Sequence, residues 1–417
     1  MPGQGCFKVA YPSTSWKKIA CTTAPARPFA SFRQGSVGAE LMDQPLTVGD
    51  GTDFEAEVTS GLISNASGYF ANASGVATES GYVGSSSSAY PNTLSFQLNS
   101  NFFDDPPACS GAANPSICQG WVQFVVSEQE GGGAGLFMQS WLLDYDMTCP
   151  GGWTSDGGIN CYQNSLGVSL PAFSASQIPN ITVSGQSINN INTATFISAM
   201  PDEIYEVTQG DSAMDLEQNW TSAEFNVFGD GGGNEAYFNN NSSLIVQTTV
   251  NNGTDNPPVC IGPNLSEATA ETNNLTLTQQ PAPSCCPSSG AIQFAESNAS
   301  GVGASCQEGK VDMSGNFTAT PTTADGHASV ISHPIIEGET RTLYTATLED
   351  STPGSTITYG LYDRCGDLLS SGSVSSGTNI SYLNTAVEGR SCTYGVSGTM
   401  EATTSGYLQS FVEPIEF

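Results

Sequence analysis

Gln123 stands in the run Gly120, Trp121, Val122, Gln123, Phe124, Val125, Val126, and Glu224 in the run Ser222, Ala223, Glu224, Phe225, Asn226, Val227. Each is one functional polar group at an alternating position of an otherwise apolar strand. An amide and a carboxylate on facing strands can hold one water between them. The ionised carboxylate then acts as general base on that water, while the amide orients it and donates to a tetrahedral oxyanion without adding charge. Few other groups compete for the chemistry. Both histidines, His327 and His333, lie far along the chain from these runs, and there is no Ser-His-Asp or Cys-His arrangement, no HExxH and no phosphate-cradling glycine loop. Asp50, Asp53 and Glu55, or Asp230 with Asn234 and Glu235 around Gly231, offer oxygen ligands for a calcium ion, although acidic turns are more often simply solvated. No other cofactor is expected. Trp121, Trp141 and Trp153 have the chemistry to stack on sugar, but at strand spacing tryptophans more often belong to a core.

The composition narrows the partners. Of 417 residues 38% are hydrophobic, enough for a sizeable core and for two or three domains. Only 12% are charged, against about 25% in an average globular protein. Nine Lys and Arg face forty Asp and Glu, a formal charge of -31, so nucleic acid and anionic membrane surfaces are excluded as partners. Such a chain suits acidic surroundings, where carboxylates are partly protonated, or a calcium-rich surface. No run approaches the ~20 apolar residues of a spanning helix, so membrane insertion is not expected.

Cysteine usage points outside the cell. The twelve cysteines include the close pairs Cys6 and Cys21, Cys109 and Cys118, Cys149 and Cys161, and Cys365 and Cys392, and none has zinc-site spacing. Adjacent Cys285 and Cys286 must bond to different partners, with Cys260 and Cys306 the nearest candidates. Sequons begin at Asn65, Asn72, Asn180, Asn219, Asn240, Asn241, Asn252, Asn264, Asn274, Asn298, Asn316 and Asn379. Together these favour a secreted or cell-surface glycoprotein; a Ser/Thr-rich bacterial exoprotein with unused sequons is the alternative. Residues 1–20 lack an apolar secretory core, so export implies a leader removed or preceding this sequence.

These residues need a β scaffold. Helix signals are nearly absent, and short runs rich in Val, Ile, Thr, Phe and Tyr recur between Gly, Asn and Ser clusters, the pattern of an all-β double-sheet sandwich or jelly roll. Strands are predicted at 93–99, 121–126, 136–143, 180–183, 194–198, 223–228 and 243–250. Leu94, Phe96 and Leu98 form one buried face, with Gln97 and Asn99 on the other. Residues 1–45 read as an extended arm holding Lys8, Lys17, Lys18, Arg27 and Arg33, stapled by Cys6 and Cys21. The large sandwich is expected over 46–278, a Pro/Ser/Cys linker over 279–290, and a smaller immunoglobulin-like sandwich over 291–417, with strands at 342–348, 356–362 and 391–396.

The order of segments over about residues 80–250 resembles a family. A strand carrying Gln123 is followed by an acidic, glycine-rich turn at 127–133, then by an aromatic strand with Trp141 and Tyr145 flanking Asp144, and later by the Glu224 segment. This is similar to the fungal glutamic peptidases called eqolisins, which are concanavalin-like sandwiches. The resemblance implies an acid endopeptidase in which Gln123 and Glu224 are the catalytic pair and Trp121, Trp141 and Asp144 line the substrate site, with a polypeptide as substrate. Where the family has Thr-Gly after its glutamine this chain has Phe124 and Val125, and Phe225 replaces its tryptophan. The alternative readings are a structural surface or fibre-forming glycoprotein, whose arm and β domains contact copies of itself or other surface proteins, and a carbohydrate-binding module.

Overall fold

The computed structural model describes residues 4–10, 15–30, 53–83, 86–129, 133–199, 202–254, 258–261, 272–278 and 290–299, and beyond these the backbone of strands between 306 and 414. Two compact units divide the chain. The first comprises residues 1–280 and 291–306, the second 281–290 and 307–417. Among the described residues no helix is long and apolar enough to cross a membrane.

The first unit is built on two large, mainly antiparallel sheets. Its principal strands are β1 (Gly5–Ala10), β2 (Thr22–Thr23), β3 (Glu55–Glu57), β4 (Asn65–Ser74), β5 (Leu94–Ser100), β6 (Gln119–Glu128), β7 (Ala134–Leu143), β8 (Cys161–Asn164), β9 (Leu166–Leu170), β10 (Ile181–Ile188), β11 (Ile191–Ala199), β12 (Asp202–Gly210), β13 (Ser222–Gly229), β14 (Ser243–Asn251) and β15 (Ala291–Ser297). One sheet runs in the order β1, β12, β11, β10, β4, β14, β15, and the other β8, β7, β6, β5, β13, β3, with β9 paired to β7 and β2. The predicted strands all appear, with ends displaced by a few residues.

Between these sheets lies an aromatic core. Phe70 of β4 packs on Phe96 of β5 and on Phe225 of β13, at centroid distances of 5.6 and 5.2 Å, and Phe124 of β6 stacks on Trp220 at 5.6 Å. The rings reach across because the opposing strands carry glycine where they land. A Cβ on Gly68 of β4 would sit 1.9 Å from the Phe225 ring, and one on Gly185 of β10 would sit 2.4 Å from the Phe124 ring. Neither glycine has positive φ, so the requirement is space rather than backbone freedom.

Three departures from expectation have simple causes. The arm is paired rather than free: Gly5–Ala10 lies between β12, in register Cys6 with Val207, and Lys17–Ile19, in register Cys6 with Ile19, and Phe7 and Val9 are buried. The linker does not end the large sandwich, because β15 pairs with β14 and sends Ile292 and Phe294 into its core, Phe294 meeting Phe54 at 5.4 Å. Finally, β5 is buried on both faces rather than one. Something covers the Gln97 and Asn99 side.

Disulfides join Cys6 to Cys21, Cys109 to Cys118 and Cys149 to Cys161, with Cα separations of 5.4, 5.7 and 5.6 Å, and Cys260 is also disulfide-bonded. Cys285, Cys286, Cys365, Cys392, Asn264, Asn316 and Asp50 lie outside the described residues. Cys306 and Asn379 are described as strand backbone, in Cys306–Glu308 and Thr378–Thr385. Among the other sequons, Asn240 and Asn241 are exposed. Asn274 and Asn298 have their amides tied up: Asn274 bonds both backbone groups of Phe238, and Asn298 donates to the Asn239 carbonyl and accepts from the Ser242 amide. A glycan on either would forfeit those bonds.

The second unit has two four-stranded antiparallel sheets. One runs Phe317–Ala319, Gly406–Pro414, Arg341–Asp350, Thr378–Thr385, and the other Asp325–Val330, Tyr394–Met400, Thr356–Asp363, Leu368–Ser375.

Replacing Gly68 by Ala forces the Phe225 ring off its seat. We expect Gly68→Ala to cost about 1–3 kcal/mol, as overpacking usually does, read as a lowered melting temperature. A neutral outcome would mean that the sheets are not in contact here.

Candidate functional site

The second sheet carries its polar residues in one row. Register places Glu55 opposite Glu224, Glu224 opposite Asn99, Asn99 opposite Gln123, Gln123 opposite Gln139 and Gln139 opposite Asn164. Directly opposed residues share a face, so this row of acids and amides runs across strands β3, β13, β5, β6, β7 and β8 on the side away from the aromatic core. Gln123 and Glu224 are therefore on one sheet rather than on facing strands, two strands apart, with backbones about 10 Å from each other. Asn99 stands between them.

The row is buried. Gln97, Asn99, Gln123 and Gln139 are 0% exposed and Glu224 is 1%. What covers part of it is the chain's own segment 24–30, which crosses this face after β2. The Phe29 amide donates to Gln139 Oε1 at 2.8 Å, and Gln139 Nε2 donates to the Arg27 carbonyl at 3.0 Å and to Asn164 Oδ1 at 2.7 Å. Gln97 Nε2 donates to the Phe29 carbonyl at 3.1 Å and Asn164 Nδ2 to the Pro25 carbonyl at 2.8 Å. The Phe29 ring packs edge-on to Phe137 at 5.1 Å with Val125 beside it, and Ala30 closes on Trp121, Trp141 and Tyr162.

Gln123 is held at both ends. Its Oε1 accepts from Trp141 Nε1 at 2.8 Å and its Nε2 donates to Gln97 Oε1 at 2.7 Å. An amide nitrogen has two hydrogens, so one N–H of Gln123 is not used by that bond. Asn99 Nδ2 donates to Glu224 Oε2 at 2.5 Å, while Asn99 Oδ1, fully buried, has no hydrogen-bond partner among the described residues. A buried carbonyl in that position calls for a donor, and it lies in the row between Glu224 and Gln123.

The expected substrate residues are placed unequally. Trp121 and Trp141 belong to this face, their rings 6.1 Å apart, and Trp121 Nε1 donates to the Ser100 carbonyl. Asp144 is half-buried at the turn that follows β7, with φ at 53° and its acidity weakened by burial. Trp153 is half-buried against the main core. The acidic loops are not arranged as ligand sets: Asp230 points to Arg27 and Ser127, Asn234 donates to the Gly231 carbonyl, and Glu55 accepts from Ser222. Among the described residues no group of three or more His, Cys, Asp or Glu is placed to hold a metal.

Away from the row, around the ends of β6 and β13, lie three buried carboxyls. Burial lifts Glu79 to about 8 and Glu128 to about 7, against one backbone donor each, Thr93 and Phe173, with the nearby Asp230 charge adding to both shifts. Asp230 is raised too, by burial, although Arg27 and Ser127 oppose it. On the other sheet burial lifts Glu206 to about 7.

Sequence reading found Gln123 and Glu224 but missed Asn99, Gln139 and Asn164 as members of one row, and Arg27 and Phe29 as its cover. The signal for Gln97 and Asn99 was present in the alternation of β5. No local pattern announces which distant segment will cover a polar face.

No protein-family model and no curated protein matches this chain. Among solved structures it is similar to an exo-β-1,3-galactanase from Phanerochaete chrysosporium, in one structure with β-1,3-galactotriose and in another with galactose. The TM-scores are 0.15 and 0.14 at 8% and 9% identity, over 70% of this chain and 78% of that one. A likeness of this size carries no weight for fold or function.

The raised carboxyls set a pH dependence. Folded Glu79, Glu128 and Glu206 hold protons that the unfolded chain releases above about 4.5. Between that value and about 7–8 the folded state binds more protons, so stability falls as pH rises through the window and is fully present below it. We expect a higher melting temperature at pH 5 than at pH 8, with the difference reduced in Glu79→Gln. A melting temperature that climbs from pH 5 to 8 would contradict the assignment.

Proposed function

We propose that the first unit is an acid endopeptidase of the glutamic type in a self-covered form. The observation that carries this is the row Glu224, Asn99, Gln123 on a face along which extended polypeptide is already bonded through its backbone. A substrate peptide laid as residues 24–30 are laid would pass over amides that accept its N–H groups and donate to its carbonyls. The eqolisin resemblance names Gln123 and Glu224, and the row that holds both on one face supports that reading.

The chemistry follows from the groups present. A water donating to Asn99 Oδ1 would sit beside Glu224. Ionised Glu224 takes a proton as the water oxygen bonds to the peptide carbonyl carbon, and the second N–H of Gln123 donates to the oxyanion. When the C–N bond breaks, protonated Glu224 returns the proton to the leaving amine. Trp141 and Gln97 position Gln123 by holding both ends of its amide. Asn99 positions Glu224 in the same way. A structural role through the arm has less support, because β1 pairs within its own chain.

The test is cleavage of a denatured protein substrate between about pH 2 and 6, by the full chain and by its Arg27→Ala variant, in which the covering segment loses an anchor. We expect turnover in acid, greater in Arg27→Ala. Glu224→Gln in that background should lose about 10²-fold or more, the usual contribution of a general base. No cleavage by either protein, or unchanged turnover in Glu224→Gln, would sink the proposal.

A further inference from the structure

Segment 24–30 is held the way a ligand is held. Apart from the Gly232 amide, which donates to the Pro28 carbonyl at 3.1 Å, the sheet face grips its backbone with side chains: Gln97, Gln139 and Asn164. It makes no strand ladder beyond Thr22 and Thr23. Pro25 and Pro28 remove two donors and keep the chain from coiling into a helix, so little backbone is left unsatisfied.

Two side chains give the contact its selectivity. Arg27 reaches Asp230, which is 0% exposed, at 2.5 Å, and Asp230 is held on its other oxygen by Ser127 at 2.7 Å. Phe29, two residues on, enters the apolar patch of Val125 and Phe137, and Arg27 stacks over its ring at 5.0 Å. The loop beneath is shaped for this crossing. Gly231 has φ of +77°, and a Cβ there would lie 2.8 Å from the Pro28 carbonyl oxygen and 3.1 Å from Arg27 Nε.

We propose that this face is a peptide-recognition groove that reads an arginine two residues before a phenylalanine in extended chain, with residues 24–30 as its built-in, exchangeable occupant. Peptides of the same chemistry compete for it in trans. The face is that of the endopeptidase reading, which this proposal rests on for its position and extends by naming the preferred sequence; the binding itself needs no catalysis.

The probe is a fluorescein-labelled synthetic peptide Thr-Ala-Pro-Ala-Arg-Pro-Phe-Ala, followed by anisotropy at neutral pH against the full chain and against its Arg27→Ala, Phe29→Ala double variant. We expect at least about tenfold tighter binding to the variant, whose own segment no longer fills the two seats. A control peptide with alanine at both the arginine and phenylalanine positions should bind at least about tenfold more weakly. Equal binding of the two peptides to folded variant overturns the proposal. Should the variant fail to fold, hydrogen exchange of the wild-type chain decides: excess peptide should speed exchange at the Phe29 amide while β6 and β7 stay protected, and no change there overturns it. Cleavage in acid without peptide binding would remove this proposal alone; binding without cleavage would remove the endopeptidase alone.

Discussion

A row of buried amides must find its hydrogen-bond partners within the fold, and much of the large sandwich follows from that. Gln139 shows the constraint most plainly. Its one side chain accepts from Phe29 and donates to both the Arg27 carbonyl and Asn164. Leaving such a group buried and unpaired costs about 1–3 kcal/mol, whereas a made bond is worth net about 1. Covering the row is thus nearly neutral when every partner is present and costly when one is missing. In this structure the extended segment 24–30 supplies those partners.

Charge adds a second constraint of the same kind. The chain has few cations, and Arg27 is placed against Asp230, whose charge is close enough to Glu79 and Glu128 to add to the proton affinity of both. One arginine cannot balance three buried carboxylates, so the cluster is comfortable only when some of them are protonated. An overall charge of -31 acts in the same direction on the whole molecule. The acidic composition and the buried acids both favour the folded state in acid, the first by relieving long-range repulsion and the second through desolvation.

Much of this was legible before the fold was known, for a definite reason. Strand periodicity is local, so the alternation in Leu94, Phe96 and Leu98 placed β5, and the odd polar members Gln123 and Glu224 stood out against apolar neighbours. The three described disulfides pair cysteines close in sequence and could be read from spacing. What escaped was everything set by distant pieces. Nothing local marks Gln139, because the Arg27 and Phe29 backbone groups that cover it lie 110 or more residues away in a stretch without periodicity. For the same reason β15 was assigned to the wrong unit: its partner β14 lies across a proline-rich linker, and composition marked the linker, not the pairing.

Asn99 joins these arguments. Its side chain bonds Glu224 through nitrogen and leaves its oxygen buried without a partner among the described residues, next to a Gln123 amide with one N–H to spare. Turning the amide end for end does not remove the problem, since its oxygen would then face the Glu224 carboxylate. Protonation of Glu224 would give that oxygen a donor, and so would a water lodged between Asn99 and Gln123. The second N–H of Gln123, directly opposite Asn99 in register, is a third donor within the row itself.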